Sequence, residues 1–233
     1  MNVHLNPHSF RLQTLSSASL VQLCCLAHRL DDEGTYIGSV HLKKRRVGSF
    51  KVVVSGHSTA DDSQMSIDLA QTALTLGAPT RISATISLGR PAYLLFYVSS
   101  GSGGYHVTLE KAEQNERTLV YDSRSLASND LFTATFLKPG KHSVLTAPGG
   151  LTGTIQVVLP KASDEPAVLD EPVTIEVTDT ALKPAKVKIK PGETVVFAVS
   201  SDRGTGISID LEATSTAVVQ PAPTPRGRTL RPR

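Results

Sequence analysis

The chain has 233 residues, 39% hydrophobic but only 5% aromatic and with no Trp, so the core of one or two domains must be built from Val, Ile, Leu and Ala. A net charge of +3 is too small to argue for nucleic acid. The positive excess sits in Lys43-Lys44-Arg45-Arg46 and in Arg226, Arg228, Arg231 and Arg233, without interleaved stacking aromatics.

No stretch approaches the roughly 18 consecutive apolar residues of a transmembrane helix. Cys24 and Cys25 are adjacent and lack CxxC or Cys/His spacing, so no disulfide framework and no metal site is expected of them. Residues 1–33 read as an N-terminal helical or targeting segment. In Ala18–Ala27 the apolar run is broken by Gln22 and preceded only by Arg11. An amphipathic helix starting near Ser16 or Ser17 is therefore predicted, with a cleavable targeting signal as the alternative.

Residues 34–49 read as a β-hairpin whose basic run is a solvated turn or a guard of a strand edge. From there on the chain alternates apolar and polar residues with the period of half-buried strands, as in Phe50–Val54, Ile82–Leu88 and Val187–Ile189. Turn signals separate the runs at Gly101–Gly104, Lys138-Pro139-Gly140, Pro148-Gly149-Gly150 and Lys190-Pro191-Gly192. The pattern predicts an all-β sandwich. Residues 50–160 are expected to form one β-sandwich and 161–171 a polar linker. Residues 172–213 would be a partial second sandwich, and 214–233 a disordered basic tail.

One stretch of the chain echoes another. Ser66–Leu74 recurs as Thr174–Leu182; Ala84-x-Ile86-x-Leu88 and Leu94–Ser100 recur as Ala185-x-Val187-x-Ile189 and Val195–Ser201. The first copy carries about seven extra residues around Thr75–Arg81, and both copies close on Leu-Glu, at Leu109-Glu110 and Leu211-Glu212. A period of this length points to tandem domains rather than solenoid units.

Thr174–Asp179 followed by Leu182–Phe197 resembles the opening half of a cupredoxin domain. Phe132–Val144 and Leu151–Val158 are similar to that family's closing hairpin. The resemblance implies a Greek-key cupredoxin-like β-sandwich over 50–160, the first half of another over 172–213, and an extracytoplasmic location. It also implies copper ligands, and here the chain departs from the family. Leu145, Pro148 and Leu151 stand where Cys, His and Met are expected, and none can ligate as a blue-copper site requires. His106 falls near the place of the family's first His ligand, and His142 near the same end of the domain; together they are the weak alternative metal site.

Half a sandwich exposes Val187, Ile189, Val195 and Phe197 and an unpaired edge. Two readings of 34–55 stand side by side. Val47–Ser55 parallels Leu151–Pro160, so 34–55 could be the closing hairpin that completes 172–213, within one chain or between chains. Alternatively Phe50–Ser55 is the first strand of the sandwich and 34–46 an edge hairpin. Ser99-Ser100 and Ser200-Ser201 lack recurring His and acidic partners, and Gly101–Gly104 opens no helix. No catalytic residue and no cofactor is assigned. The functional expectation is a copper-free structural or protein-binding subunit with a protein partner or self-assembly; the alternative is an electron-transfer or copper-handling protein with ligands near His106.

Overall fold

The computed structural model describes residues 7, 9–56, 63–74, 84–114, 116–160 and 171–212. A short 3-10 turn at Ser9–Arg11 leads into β1 (Thr14–Ser16), β2 (Cys24–Leu30), β3 (Gly34–Leu42), β4 (Arg45–Ser55) and β5 (Gln64–Asp68), then the short helix α1 (Leu69–Leu74). Next come β6 (Thr85–Gly89), β7 (Ala92–Tyr97), β8 (Tyr105–Glu113), β9 (Glu116–Asp122), β10 (Leu131–Thr135), β11 (Gly140–Ala147) and β12 (Thr152–Val157). The chain closes with β13 (Val173–Val177), β14 (Leu182–Lys183), β15 (Lys186–Ile189), β16 (Thr194–Val199) and β17 (Gly206–Leu211). The fold is all-β and sandwich-like. The expected linker, apart from Glu171, and the expected tail lie outside the described residues, as does Thr75–Arg81.

The strands form three sheets. A central sheet runs β14-β13-β16-β10-β2-β7-β5; one outer sheet runs β6-β4-β3-β8-β9, and the other β1-β17-β11-β12-β15. The first outer sheet packs on β2 and β7, with Phe50 of β4 6.2 Å from Phe96 of β7 and Phe96 5.9 Å from Tyr121 of β9. The ring of Phe50 also lies over Gly38, its cross-strand partner, where a Cβ would come within 2.1 Å of the ring. The second outer sheet covers the other half: His142 of β11 meets the ring of Phe136 edge-on at 5.0 Å. One continuous cluster of buried aliphatic and aromatic side chains joins both halves.

Among the described residues of the expected N-terminal segment 1–33, no helix starts near Ser16 or Ser17; the chain there supplies the end of β1 and then β2. The reason for the difference is that β2 carries apolar residues on both faces, although only one of them is buried. In β2, Cys24, Leu26, His28 and Leu30 are buried while Cys25 and Ala27 are half-buried. With Cys25 and Ala27 on the less buried face, Cys24–Ala27 reads as a continuous apolar run, which periodicity alone does not separate from a helix.

The strand grouping also differs from the expected division at 50–160 and 172–213. Residues 131–157 pair mainly with strands of 186–211: β10 pairs with β16, β11 with β17 and β12 with β15, while the other edge of β10 meets β2. Residues 34–55 do not complete 172–213. They pair with strands nearer in the chain, β3 with β8 and β4 with β6, and β3 is an interior strand rather than an edge. In each half, therefore, the hairpin precedes the segment it closes. Val195, Phe197 and Ile189 are accordingly buried.

The pairing has a two-fold pattern centred on one cross-strand pair. Leu26 faces Phe132 where β2 meets β10. On one side Leu26 faces Phe96, which faces Ile67; on the other Phe132 faces Phe197, which faces Ile175. In the outer sheets, Gly38 faces Leu109 and Val144 faces Ile209, so Leu109 stands where Ile209 stands, not where Leu211 does.

The first strand of each half is placed in the other half's outer sheet. β1 pairs with β17, Leu15 opposite Ile209; the chain then crosses, and Leu20 bridges to Tyr105 at the head of β8. β9 pairs with β8, Tyr121 opposite Leu109; the chain then crosses the other way, and Leu126 bridges to Thr205. Each crossing is pinned by a fully buried serine. Ser17 N donates to Ile207 O at 3.0 Å while Ile207 N donates to Ser17 Oγ at 3.1 Å; Ser123 N donates to Val107 O at 2.9 Å and Val107 N to Ser123 Oγ at 3.0 Å.

The two-fold pattern breaks beside its centre. His28 Nδ1 donates to Asp130 Oδ1 at 2.6 Å, both buried, and Asp130 Oδ2 accepts from Ala127 N at 2.8 Å. The Tyr121 ring stacks on His28 at 4.1 Å, but its buried hydroxyl has no hydrogen-bond partner. At the matching place across the centre Cys24 faces Ala134. A buried hydroxyl left unpaired costs about 1–3 kcal/mol.

Two substitutions test this core by denaturant unfolding. Phe96→Ala should cost about 3–5 kcal/mol, since a fully buried ring at the sheet-to-sheet contact is lost and a cavity remains. Tyr121→Phe should leave stability unchanged or raise it by about 1 kcal/mol, because it removes only the unpaired hydroxyl. An unchanged midpoint for Phe96→Ala, or a loss of several kcal/mol for Tyr121→Phe, contradicts the packing described.

Candidate functional site

The first outer sheet carries the basic run on the turn between β3 and β4. Lys43 takes the left-handed conformation there (φ 56°), and its N–H donates to Gly104 O at 3.0 Å, which ties the turn to the loop ahead of β8. Strand register then sets three side chains in a row: Arg46 of β4 faces His41 of β3, and His41 faces His106 of β8. The two imidazoles are stacked, centroids 4.6 Å apart and planes 10° from parallel. Arg124, just beyond β9, continues the row and is held to Asp122 by hydrogen bonds from Nε and Nη2, the shortest 2.6 Å.

These side chains line a groove of about 750 Å³, together with Lys43, Lys44 and Arg117. Its charge is strongly one-sided. Arg117 lies 3.6 Å from Glu110 and Arg124 2.6 Å from Asp122, whereas among the described residues Lys43, Lys44 and Arg46 have no carboxylate partner. Arg46 Nε is buried without a hydrogen-bond acceptor.

Burial lowers the pKa of His41, and Arg46 and Arg124 push it further in the same direction against Asp122. Burial likewise lowers that of His106, reinforced by His41 and Arg124 and opposed by Asp122. Asp122 feels burial upward, yet the hydrogen bonds and charge of Arg124 bring its pKa below the ordinary value. The groove therefore holds fixed guanidinium and ammonium charge and, at neutral pH, two uncharged imidazoles.

His106 and His142, considered together from sequence, stand in different outer sheets. His142 faces inward, 6% exposed, with Nε2 3.1 Å from Lys138 O, and burial lowers its pKa. The partner of His106 is His41, to which the sequence alone assigned no role. Its signal was available: in Ile37-x-Ser39-x-His41 it shares the face of Ser39 and stands next to the basic run.

Leu145 and Pro148, which stand where the resemblance places copper ligands, are exposed, Leu145 at 47%; the inward positions of β11 include Val144 and Thr146. Leu151 is partly buried against the core. Ser201 Oγ donates to Asp179 Oδ1 at 2.6 Å, and Ser99 N to Asp68 Oδ1 at 3.2 Å, both local loop contacts. Among the described residues no three His, Cys, Asp or Glu side chains gather as a metal site needs. Cys24 is buried, its thiol pushed up to about 12 by desolvation, and burial also raises Cys25. Gly101–Gly104 carries the chain from the central sheet to the outer one rather than closing a hairpin.

Comparison of the chain with family models, with curated proteins and with solved structures gives no match.

The three lowered histidines make stability depend on pH. Each has a folded pKa below its ordinary 6.5, so folding favours the neutral ring. The stability they contribute is whole above about pH 6.5 and is lost as pH falls below it, where the unfolded chain binds protons first. Denaturant midpoints should hold steady from about pH 8 to 7 and decline toward about pH 5, with a shallower decline in His106→Gln. A midpoint independent of pH across that window contradicts the burial of these rings.

Proposed function

We propose that this chain is a copper-free, cupredoxin-like protein of two tandem Greek-key sandwiches, related by an internal duplication, that serves as a structural or protein-binding subunit. Its docking face for an acidic protein partner is the groove of the first outer sheet. The observation that carries the reading is the set Lys43, Lys44 and Arg46, cations without carboxylate partners among the described residues, on the turn between β3 and β4 and the adjoining start of β4 in the first outer sheet. Exposed ion pairs contribute about 0–1 kcal/mol each, so the face needs several carboxylates acting together. A charged stretch of polypeptide supplies them; a single small acid does not.

A catalytic reading would need a nucleophile and base in reach of one another, and the serines named above serve loop contacts instead. An electron-transfer reading would need a thiolate, while Cys24 is buried in the central sheet with a strongly raised pKa. The fusion through the central sheet supports a scaffold role, because it holds the two outer faces in a fixed relation.

The test is binding of a fluorescent oligoglutamate peptide to the full chain at low and high salt. Binding at low salt should weaken about tenfold or more in the double variant Lys43→Glu, Lys44→Glu, and should fall steeply with salt. The control Lys186→Glu, Lys188→Glu, on the exposed face of β15 in the other outer sheet, should leave it within about twofold. Equal losses in both doubles, or no binding at low salt, would sink the reading.

A further inference from the structure

Within the groove the donors are not spread evenly. Arg46, His41, His106 and Arg124 come from β4, β3, β8 and the end of β9, and they stand side by side on one face. Neither imidazole has a hydrogen-bond partner among the described residues, so each neutral ring has an N–H to donate. Arg46 Nε is also unpaired. We infer that this row is a subsite for a phosphoryl group, carried either on a phosphorylated side chain of the acidic partner or as free inorganic phosphate. The inference rests on the groove being the docking face proposed above.

Charge and shape favour a phosphoryl group over the other occupants two histidines suggest. A metal ion would find only two ring nitrogens where four ligands are usual, and Arg46, Arg124, Lys43 and Lys44 would all repel it. A carboxylate brings one charge and two oxygens in a plane. A phosphoryl group brings about −1.5 to −2 at neutral pH and three acceptor oxygens in a pyramid, which suits donors arriving from four strands. The Arg46 guanidinium at one end of the row matches phosphate geometry in the way a lone ammonium does not, and Arg124 at the other end, its Nε and Nη2 on Asp122, leaves Nη1 to donate. The charged groups facing the stacked rings are Arg46 from β4, Lys43 and Lys44 from the turn, Asp122 at the end of β9 and Arg124 just beyond it, with Glu110 of β8 and Arg117 of β9 one step further along. The net field is positive, and Asp122 is already held by Arg124.

The experiment compares an acidic peptide containing serine with its phosphoserine form on the full chain, at about pH 7 and near-physiological salt. The phosphorylated form should bind about tenfold more tightly or better. In the double variant His41→Gln, His106→Gln, which removes no charge at that pH, the preference should vanish while the unphosphorylated peptide still binds within about twofold.

Proton NMR of the wild-type histidine rings guards against a variant that fails to fold. Phosphopeptide should move the His41 and His106 resonances together and leave His142 in place. Inorganic phosphate alone is the second arm: the same shifts assign the subsite to free phosphate as well, and shifts with the peptide only assign it to the partner's side chain. Equal affinity for both peptides overturns the phosphoryl subsite and leaves the docking face standing. If neither peptide binds, the docking face fails, and phosphate-induced ring shifts alone then uphold or overturn the subsite. Zinc moving the two rings where phosphate does not also overturns it.

Discussion

The structure depends on two crossings of the chain, each held by one buried serine. Ser17 and Ser123 each exchange two hydrogen bonds with a strand of the opposite half, Ile207 in one case and Val107 in the other. A serine side chain can do this because its hydroxyl satisfies a backbone N–H that the departing strand no longer serves. Left unpaired, each buried N–H would cost on the order of 1–3 kcal/mol. With both satisfied, β1 and β9 trade places, and neither half has a complete outer sheet without the other.

That exchange builds the groove. Arg117 and Arg124 belong to β9 and the turn after it, the first segment of the second half, while His41, Lys43, Lys44, Arg46 and His106 belong to the first. The site is therefore a product of the crossing rather than of either half. It also has no counterpart on the other outer sheet. There the three-residue β1 takes the place of the seven-residue β9, and Ala147 and Gly206 pair where His41 and His106 pair. Similar backbones thus carry different surfaces, as expected when fold and site are separable.

The centre of the molecule shows the same separation. Leu26 and Phe132 face one another on the axis of the pairing pattern, and Phe96 and Phe197 flank them alike. A step away, His28 and Asp130 with Tyr121 stand on one side and Cys24 with Ala134 on the other. Removing one partner of a buried hydrogen bond leaves the other's polar group unsatisfied, at a cost of about 1–3 kcal/mol. Here the bond links β2, the lead into β10 and, through the Tyr121 ring, β9. Those three segments meet where the halves join, so the hydrogen bond and the stacked ring tie the join together.

The sequence by itself determined the all-β class and the equivalence of Ile67 with Ile175 and of Phe96 with Phe197, because alternation and recurring apolar positions record which face is buried. It also contained the Ser-x-Ser-Leu at Ser17–Leu20 and Ser123–Leu126, which marks the crossings, although two serines in a polar stretch carry no sign of a distant backbone partner. Only the tertiary structure decided which hairpin closes which half. Both candidate hairpins have the same alternation, so local pattern does not distinguish which segment each one closes. The groove was legible only in parts: the basic run and His106 stood out, but His41 did not. Its meaning comes from being cross-strand neighbour to Arg46 across the hairpin turn and to His106 of the distant β8, and the second pairing is set by long-range register that local alternation does not show.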